Sequence, residues 1–227
     1  MNGKLPELNI SKRSRAESIS ETVKEAIFAG YWMPGARIDD QDLAGKLEVS
    51  RLSVREALGK LVEAGIVERR HWKGYQVRSL SLHEVESILE VREALELVAM
   101  RKVVRARDPE LLRELEGALA EAEQRKSEGR VVEFRRADFR FHEILYRASD
   151  NPWIADILGN LRILIELLRF ISQSEDFASV AAASIREHRR ILAKLSGSAP
   201  REAISEMREH LRSHRERVRV RFSASDR

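Results

Sequence analysis

The sequence has 227 residues, a high charged fraction and a formal net charge of +4. That length allows two small domains or one larger domain, and the basic excess permits nucleic-acid binding without requiring it. The absence of cysteine excludes disulfides and thiolate metal sites. No apolar run approaches the roughly 18–20 residues that cross a bilayer, and no signal-peptide core is visible, so we expect a cytoplasmic protein without a membrane partner.

The first predicted domain, residues 14–78, mixes short helices with a strand-like end and follows a flexible N-terminus at residues 1–13. A capping-box pattern at Ser14 and Glu17 opens its first helix, which is predicted to run to Gly30. The later elements are a short helix over 39–47 capped by Asp39 or Asp40, a third helix from Arg51 to about Ala64 closed by Gly65, and two short strands within 66–77.

The segment DLAGKLEVSRLSVREALGKLVEAG (42–65) has the layout of a helix-turn-helix. Ser50 can cap the third helix, which places Arg51 and Arg55 one turn apart at the end that a recognition helix presents to the major groove. An arginine fork can pair there with guanine O6 and N7 or clamp a phosphate. The alternative is a small helical domain with solvated arginines. The apolar spacing, the capped turn and the wing, which occur in order, favour DNA binding.

The second predicted domain, residues 81–222, has a purely helical pattern and is followed by a tail at 223–227. A capping box at Ser81 and Glu84 opens it. Helix breakers divide it into about six helices with apolar stripes, and these breakers lie at 108–110, 127–129, 150–152, 172–176 and 196–200. The predicted fold class is therefore mostly α, with an N-terminal winged helix-turn-helix and a C-terminal all-α bundle of about six helices.

Four polar residues lie on or beside the apolar stripes of three helices in the second domain. Asp138 shares a face with the apolar residues of its own helix, and His142 follows one turn later at the margin of that face. His188 and His210 lie within or beside the stripes of two later helices. A buried carboxylate is costly unless it is neutralised, and a divalent cation with one oxygen and three nitrogen ligands would do so. The alternative is a set of hydrogen-bonded core residues.

The first domain resembles the winged helix-turn-helix of GntR-type bacterial transcription regulators. The matching motifs are PG (34–35), LA (43–44), VSR-x-x-VREAL (49–58), L-x-x-x-G (61–65) and the wing glycine at 74. The resemblance implies a homodimer that binds a palindromic operator in double-stranded DNA. The predicted DNA-binding residues are Gln41, Ser50, Arg51, Ser53, Arg55, Lys73 and Gly74.

The second domain resembles the FCD ligand-binding domain of the FadR subgroup within that family. The matching motifs are VREALE (91–96), DFRFH (138–142), EHRxI (187–191) and MxxHL (207–211). In metal-binding members an aspartate and three histidines converge inside the bundle, and here those positions hold Asp138, His142, His188 and His210. The resemblance implies a Zn²⁺ or Ni²⁺ ion and a small organic-acid effector that relieves repression.

Two further residues are predicted to contact the effector. Arg92 lies near an apolar stripe, where it can meet the effector's carboxylate or form an (i, i+4) salt bridge to Glu96. His214 follows His210 by one turn and can contact the effector, support a ligand or belong to the core. The basic run at 212–221 is predicted to be a solvated end, with a role in DNA or dimer contacts as the alternative.

Two other functions compete with a ligand-responsive regulator. An Asp and three His with an open position could activate water in a metalloenzyme. No glutamate, serine or lysine falls at a recognisable spacing as a general base, and a DNA-reading half would be unexplained, so we predict that the chain is not an enzyme. The other alternative is a regulator whose metal ion is purely structural.

Overall fold

The computed structural model describes residues 15–70, 74–106, 108–171 and 177–225. The chain divides into two compact units, residues 1–78 and residues 79–227. The predictions for the N-terminus, for Ser14, for Lys73 at the wing tip and for the breaker at 172–176 lie outside the described residues.

The first unit contains three helices and three short strands among the described residues. Asp39 is the N-cap of the second helix, where its Oδ1 accepts hydrogen bonds from the backbone N–H groups of Gln41 and Asp42 at 2.9 and 3.1 Å. Ser50 Oγ accepts from the N–H of Ser53 at 3.1 Å and caps the third helix, as predicted. The elements are α1 (Arg15–Phe28), β1 (Arg37–Ile38), α2 (Asp40–Lys46), α3 (Arg51–Glu63), β2 (Val67–Arg70) and β3 (Gly74–Val77).

The three strands form one antiparallel sheet in the order β1-β3-β2. The sequence predicted β2 and β3 but missed β1, because a strand of two residues is too short to show an alternating pattern. Ile38 lies opposite Tyr75 in the ladder and is buried. Gly65, with φ 74°, ends the segment after α3 in the left-handed conformation that glycine adopts without strain.

The core of the first unit lies between α1, α3 and the sheet. Helix α1 packs against α3. The fully buried side chains are those of Val23, Ile27, Val54, Leu58, Ile66 and Val77. This packing fixes the direction of α3 and leaves its N-terminal end at the surface.

The second unit contains six helices among the described residues, as predicted. A reciprocal capping box opens the first of them: Ser81 N–H donates to Glu84 Oε2 at 2.9 Å, and Glu84 N–H donates to Ser81 Oγ at 3.3 Å. Pro109 lies in the first turn of its helix, whereas Pro200 precedes its helix by two residues. The helices are α4 (Leu82–Ala106), α5 (Pro109–Ser127), α6 (Val131–Ala148), α7 (Pro152–Ile171), α8 (Phe177–Ser196) and α9 (Glu202–Ser225).

The core of the second unit is formed mainly by α4, α5, α6, α8 and α9. Helix α6 buries Phe134, Phe141 and Leu145 on one face and exposes Arg140 and Arg147 on the other, which confirms its predicted amphipathic pattern. Helix α9 continues to Ser225, three residues beyond the predicted end of the domain at 222. Among the described residues, no helix has the length and apolar character needed to cross a membrane.

Candidate metal centre and nucleic-acid interface

The N-terminal end of α3 presents two exposed arginines that share one carboxylate. Arg51 Nη2 lies 2.9 Å from Asp40 Oδ1, and Arg55 Nε lies 3.9 Å from Asp40 Oδ2. A hydrogen bond from Arg51 to Asp40 raises the pKa of the guanidinium. The sequence reading treated Asp40 only as a possible N-cap. Because Asp39 takes the cap, Asp40 is available to hold both arginines.

The other residues of the predicted DNA surface lie in the same unit. Gln41 and Ser50 are exposed, and Ser53 Oγ lies 2.8 Å from Ser50 Oγ. Gly74 has φ +78° and open space around the position of a Cβ atom, so a side chain there would be strained by the backbone and not by contacts. The surface therefore combines a helix N-terminus, two guanidinium groups and an exposed backbone segment.

Three fully buried histidines meet in the second unit. His142 on α6, His188 on α8 and His210 on α9 each offer a ring nitrogen, and these nitrogens all lie within 4.8 Å of one another. His142 Nε2 is central, because it lies 3.1 Å from His188 Nε2 and 3.3 Å from His210 Nε2. The structure therefore brings together three of the four residues that were predicted as metal ligands, from three different helices.

Two buried glutamates contact the opposite nitrogens of these rings. Glu96 Oε2 on α4 lies 2.9 Å from His142 Nδ1, and Glu187 Oε2 on α8 lies 2.7 Å from His210 Nδ1. Burial acts to raise the pKa of each carboxyl. For Glu96 this effect is outweighed by Arg92, His142 and Tyr146 together, which hold the pKa well below its usual value. For Glu187 hydrogen bonds from His210 and Arg217 lower the pKa to about 2. Both carboxylates are therefore ionised at neutral pH.

These contacts determine which nitrogen carries the proton. Burial lowers the pKa of His142 and of His210 to about 4, so both imidazoles are neutral at pH 7. An ionised carboxylate can only accept, so Nδ1 of each ring must donate and Nε2 of each ring must carry a bare lone pair. Two bare lone pairs 3.3 Å apart repel each other. A proton on His188 Nε2 could form a hydrogen bond with only one of these two lone pairs.

The donor set fits a divalent metal ion. Imidazole nitrogens bind Zn²⁺ at about 2.0–2.1 Å, and two such ligands at angles between about 90° and 109° are about 2.9–3.4 Å apart. The Nε2 separations of 3.1 and 3.3 Å fall in that range. A cation beside His142 Nε2 could therefore accept its lone pair together with one from each neighbouring ring.

Asp138, the predicted fourth ligand, lies beside the three histidines. Its Oδ1 accepts a hydrogen bond from Ser184 Oγ at 2.5 Å and lies 3.5 Å from His188 Nδ1. Ser184 and His188 together account for the burial of a carboxylate on the apolar face of α6. The three ring nitrogens form the compact group, and Asp138 lies outside it, next to Nδ1 of His188.

Arg92 is fully buried and forms the predicted (i, i+4) ion pair. Its Nε donates to Glu96 Oε1 at 2.5 Å, and the same oxygen accepts from Tyr146 Oη at 2.6 Å. Arg92 Nη2 lies 3.4 Å from His142 Nε2. Its Nη1 is buried and has no hydrogen-bond partner among the described residues. The salt bridge to Glu96 uses Nε, so Nη2 remains as a donor beside His142.

His214 is buried on α9, one turn beyond His210, and is not in the three-histidine group. The sequence reading missed Glu187, Ser184 and Tyr146 as parts of the site. Glu187 had one available signal, since it adjoins His188 in the EHR motif and lies on the apolar side of α8.

Comparisons with known proteins match both units. The profile of the bacterial regulatory proteins of the gntR family matches residues 15–77, and the FCD domain profile matches residues 87–213. The HTH-type transcriptional regulator YdhC of Bacillus subtilis is 34% identical over 170 residues, which cover 74% of this chain and 75% of YdhC. The HTH-type transcriptional repressor RspR of Escherichia coli is 28% identical over 197 residues, which cover 85% and 84%.

Solved structures share the fold. The structure of McbR/YncC from E. coli matches with a TM-score of 0.76 and 20% identity over 92% of this chain and 99% of that one. A Rhodococcus sp. RHA1 protein assigned to the GntR regulators matches with a TM-score of 0.78 and 22% identity, over 91% of this chain and 98% of that one. The proteins matched are transcriptional regulators, which confirms the prediction that the chain is not an enzyme.

Proposed function

Because the chain belongs to the GntR family of bacterial transcriptional regulators and carries an FCD domain, it is a DNA-binding regulator, and we propose that a small carboxylic acid controls it at a metal site. We propose that it is a repressor and that the acid lowers its affinity for the operator. The buried group of three histidine nitrogens carries this proposal.

The DNA-binding part of the proposal rests on the N-terminal end of α3. Arg51 and Arg55 are exposed there, and the helix N-terminus adds a partial positive charge that favours phosphate. The proposed interface also contains Gln41, Ser50 and Ser53, together with Lys73 and Gly74 of the wing. A homodimer would place two such helices on the half-sites of a palindrome.

Replacing Arg55 with alanine should weaken operator binding by about 1–3 kcal/mol, or roughly 5- to 150-fold, if its guanidinium reads a base. Arg113→Ala is the matched control, because Arg113 is exposed on α5 and pairs with Glu110. Fluorescence anisotropy with an operator duplex and a scrambled duplex at fixed salt would measure both affinities. Equal affinities of Arg55→Ala and Arg113→Ala for the operator would exclude Arg55 from the interface.

Asp40→Asn extends the same experiment. It removes the carboxylate that competes with DNA for Arg51 and Arg55 without shortening either arginine. Operator affinity should therefore rise, or at least not fall, in this variant. A loss of affinity would indicate that Asp40 orients the arginines for binding.

The metal-binding part of the proposal assigns Zn²⁺ or Ni²⁺ to His142, His188 and His210, with Asp138 as the fourth ligand. Asp138 precedes His142 by one turn on α6, and its Oδ1 lies 3.5 Å from His188 Nδ1, outside the group of three ring nitrogens, so it would have to turn towards the ion to bind it. When bound, the ion supplies positive charge and an open position for a carboxylate oxygen. The protein holds His142 and His210 neutral and buries all three rings away from bulk water.

The effector part of the proposal rests on Arg92. Arg92 Nη2 lies 3.4 Å from His142 Nε2, and Nη1 of the same guanidinium is buried with no hydrogen-bond partner among the described residues. A carboxylate is the group that an arginine fork binds best. His214 is proposed to line the same site. The acid would bind one conformation of the regulator more tightly than another and so shift the population that binds DNA.

A thermal-shift screen of small carboxylic acids, with and without a chelator, tests the sensing function. We expect acids that contain a second oxygen donor to raise the melting temperature only when the metal is present. The same acids should weaken operator binding. If chelation unfolds the protein and no acid has an effect, the ion is structural and the sensing function is wrong.

A further inference from the structure

We infer that Glu96 and Glu187 are positioning residues for the metal ion: each holds the Nδ1–H of one histidine and so directs its Nε2 to a common point. The inference rests on the proposed metal site and adds two residues from α4 and α8 that do not themselves bind the ion. The sequence suggested only an ion pair with Arg92 for Glu96 and gave no role to Glu187.

His142 and His210 are each held at Nδ1 by a glutamate, although the two glutamates come from different helices. Glu96 reaches His142 from α4 across 46 positions of sequence, and Glu187 reaches His210 from α8 across 23 positions. In both cases the carboxylate takes Nδ1 and leaves Nε2 in the group of three nitrogens. A carboxylate that merely satisfied a buried histidine could take either nitrogen. In both rings the carboxylate holds the nitrogen outside the group, which leaves the other nitrogen for a metal ion and fixes the tautomer and the ring plane.

Each glutamate also has its own arginine. Arg92 Nε donates to Glu96, and Arg217 on α9 donates to both oxygens of Glu187 at 2.9 and 3.2 Å. The arginine compensates the carboxylate charge, so the histidine between the carboxylate and the site can stay neutral. A neutral imidazole binds a cation, whereas an imidazolium repels it.

Glu187 has an additional consequence for the last helix. His210 and Arg217 lie two turns apart on α9, and Glu187 holds both of them. The residue after it in the chain is His188, so one short segment of α8 positions one ligand directly and a second ligand through its carboxylate. Glu187 thus ties α8 and α9 together at the site.

Glu187→Gln in the full chain should weaken Zn²⁺ binding by about 10- to 100-fold, because the neutral amide holds Nδ1–H less strongly and can rotate to present its NH₂ group. Glu96→Gln should give a loss of similar size. Glu206→Gln is the matched control, since Glu206 on α9 pairs with the exposed Arg190. Zn²⁺ affinity would be measured by competition with a chelator of known affinity.

Two further readouts separate positioning from a structural role. The melting temperature of the metal-free variants reports stability, and the visible absorption of bound Co²⁺ reports the arrangement of the ligands. We expect an altered Co²⁺ spectrum in Glu187→Gln. A variant that loses stability but keeps the wild-type Zn²⁺ affinity and Co²⁺ spectrum overturns the inference.

Arg217→Gln is the substitute test if Glu187→Gln does not fold. Arg217 is partly exposed and acts on the His210 ring through Glu187. Arg217→Gln should weaken Zn²⁺ binding less than Glu187→Gln does. If only Arg217→Gln folds and its Zn²⁺ affinity equals that of wild type, that result counts against the inference. If folded wild-type protein binds no ion at all, both the metal site and the inference are wrong. If wild type binds Zn²⁺ and the glutamine variants bind it equally well, only the inference fails.

Discussion

Replacing Arg92 with alanine is expected to lower the free energy of unfolding of the metal-free protein by about 3–5 kcal/mol. Arg92 and Glu96 are both almost completely buried, and their nearest atoms are 2.5 Å apart. Removal of the guanidinium leaves the Glu96 carboxylate with Tyr146 and His142 as its donors among the described residues. The uncompensated charge must then be protonated or hydrated, and either change costs free energy.

Urea unfolding followed by circular dichroism would measure this loss. Arg113→Ala removes an arginine of an exposed (i, i+3) pair on α5 and should change the free energy of unfolding by less than about 1 kcal/mol. A second comparison uses Arg92→Met together with Glu96→Gln, which removes both charges and should recover part of the loss. An Arg92→Ala variant as stable as Arg113→Ala would mean that the ion pair is hydrated in solution.

The helices were predictable because their boundaries depend on local chemistry. Asp39 and Ser50 cap α2 and α3 as their side chains suggested, and the box at Ser81 opens α4. The apolar stripe of α6 correctly placed Asp138 inside the core. In each case the deciding contact lies within four residues along the chain, so the sequence contains the whole signal.

The contacts around the histidines were less predictable because they join distant parts of the chain. The sequence placed His142 and Arg92 near apolar stripes, but the rotation and register of α4 against α6 decide that Glu96 meets His142. The same holds for Ser184 and Asp138, which are 46 positions apart. The two adjacent aspartates at the start of α2 show the same limit of prediction from sequence. Either could cap the helix, and the packing of α3 places Arg51 and Arg55 beside Asp40.

Replacing His142 with alanine is expected to abolish the stabilisation that Zn²⁺ gives to the wild-type protein. At a free concentration about 100 times the dissociation constant, a bound ion contributes about 2.7 kcal/mol. His142 Nε2 is the nitrogen closest to both other imidazoles, at 3.1 and 3.3 Å. Its removal leaves two nitrogen ligands, which should weaken binding so far that the metal-dependent increment disappears at that concentration.

The increment, and not the melting temperature itself, is the quantity to compare. His142→Ala also leaves a cavity and removes the donor to Glu96, so the metal-free variant differs from wild type for reasons unrelated to the ion. Subtraction of the chelated sample from the Zn²⁺ sample removes those effects. His83→Ala is the matched control, because His83 is exposed in the first turn of α4, and it should keep the full increment. A His142→Ala protein that Zn²⁺ stabilises as strongly as wild type would show that the ion binds elsewhere, and that the buried histidines are hydrogen-bonded core residues.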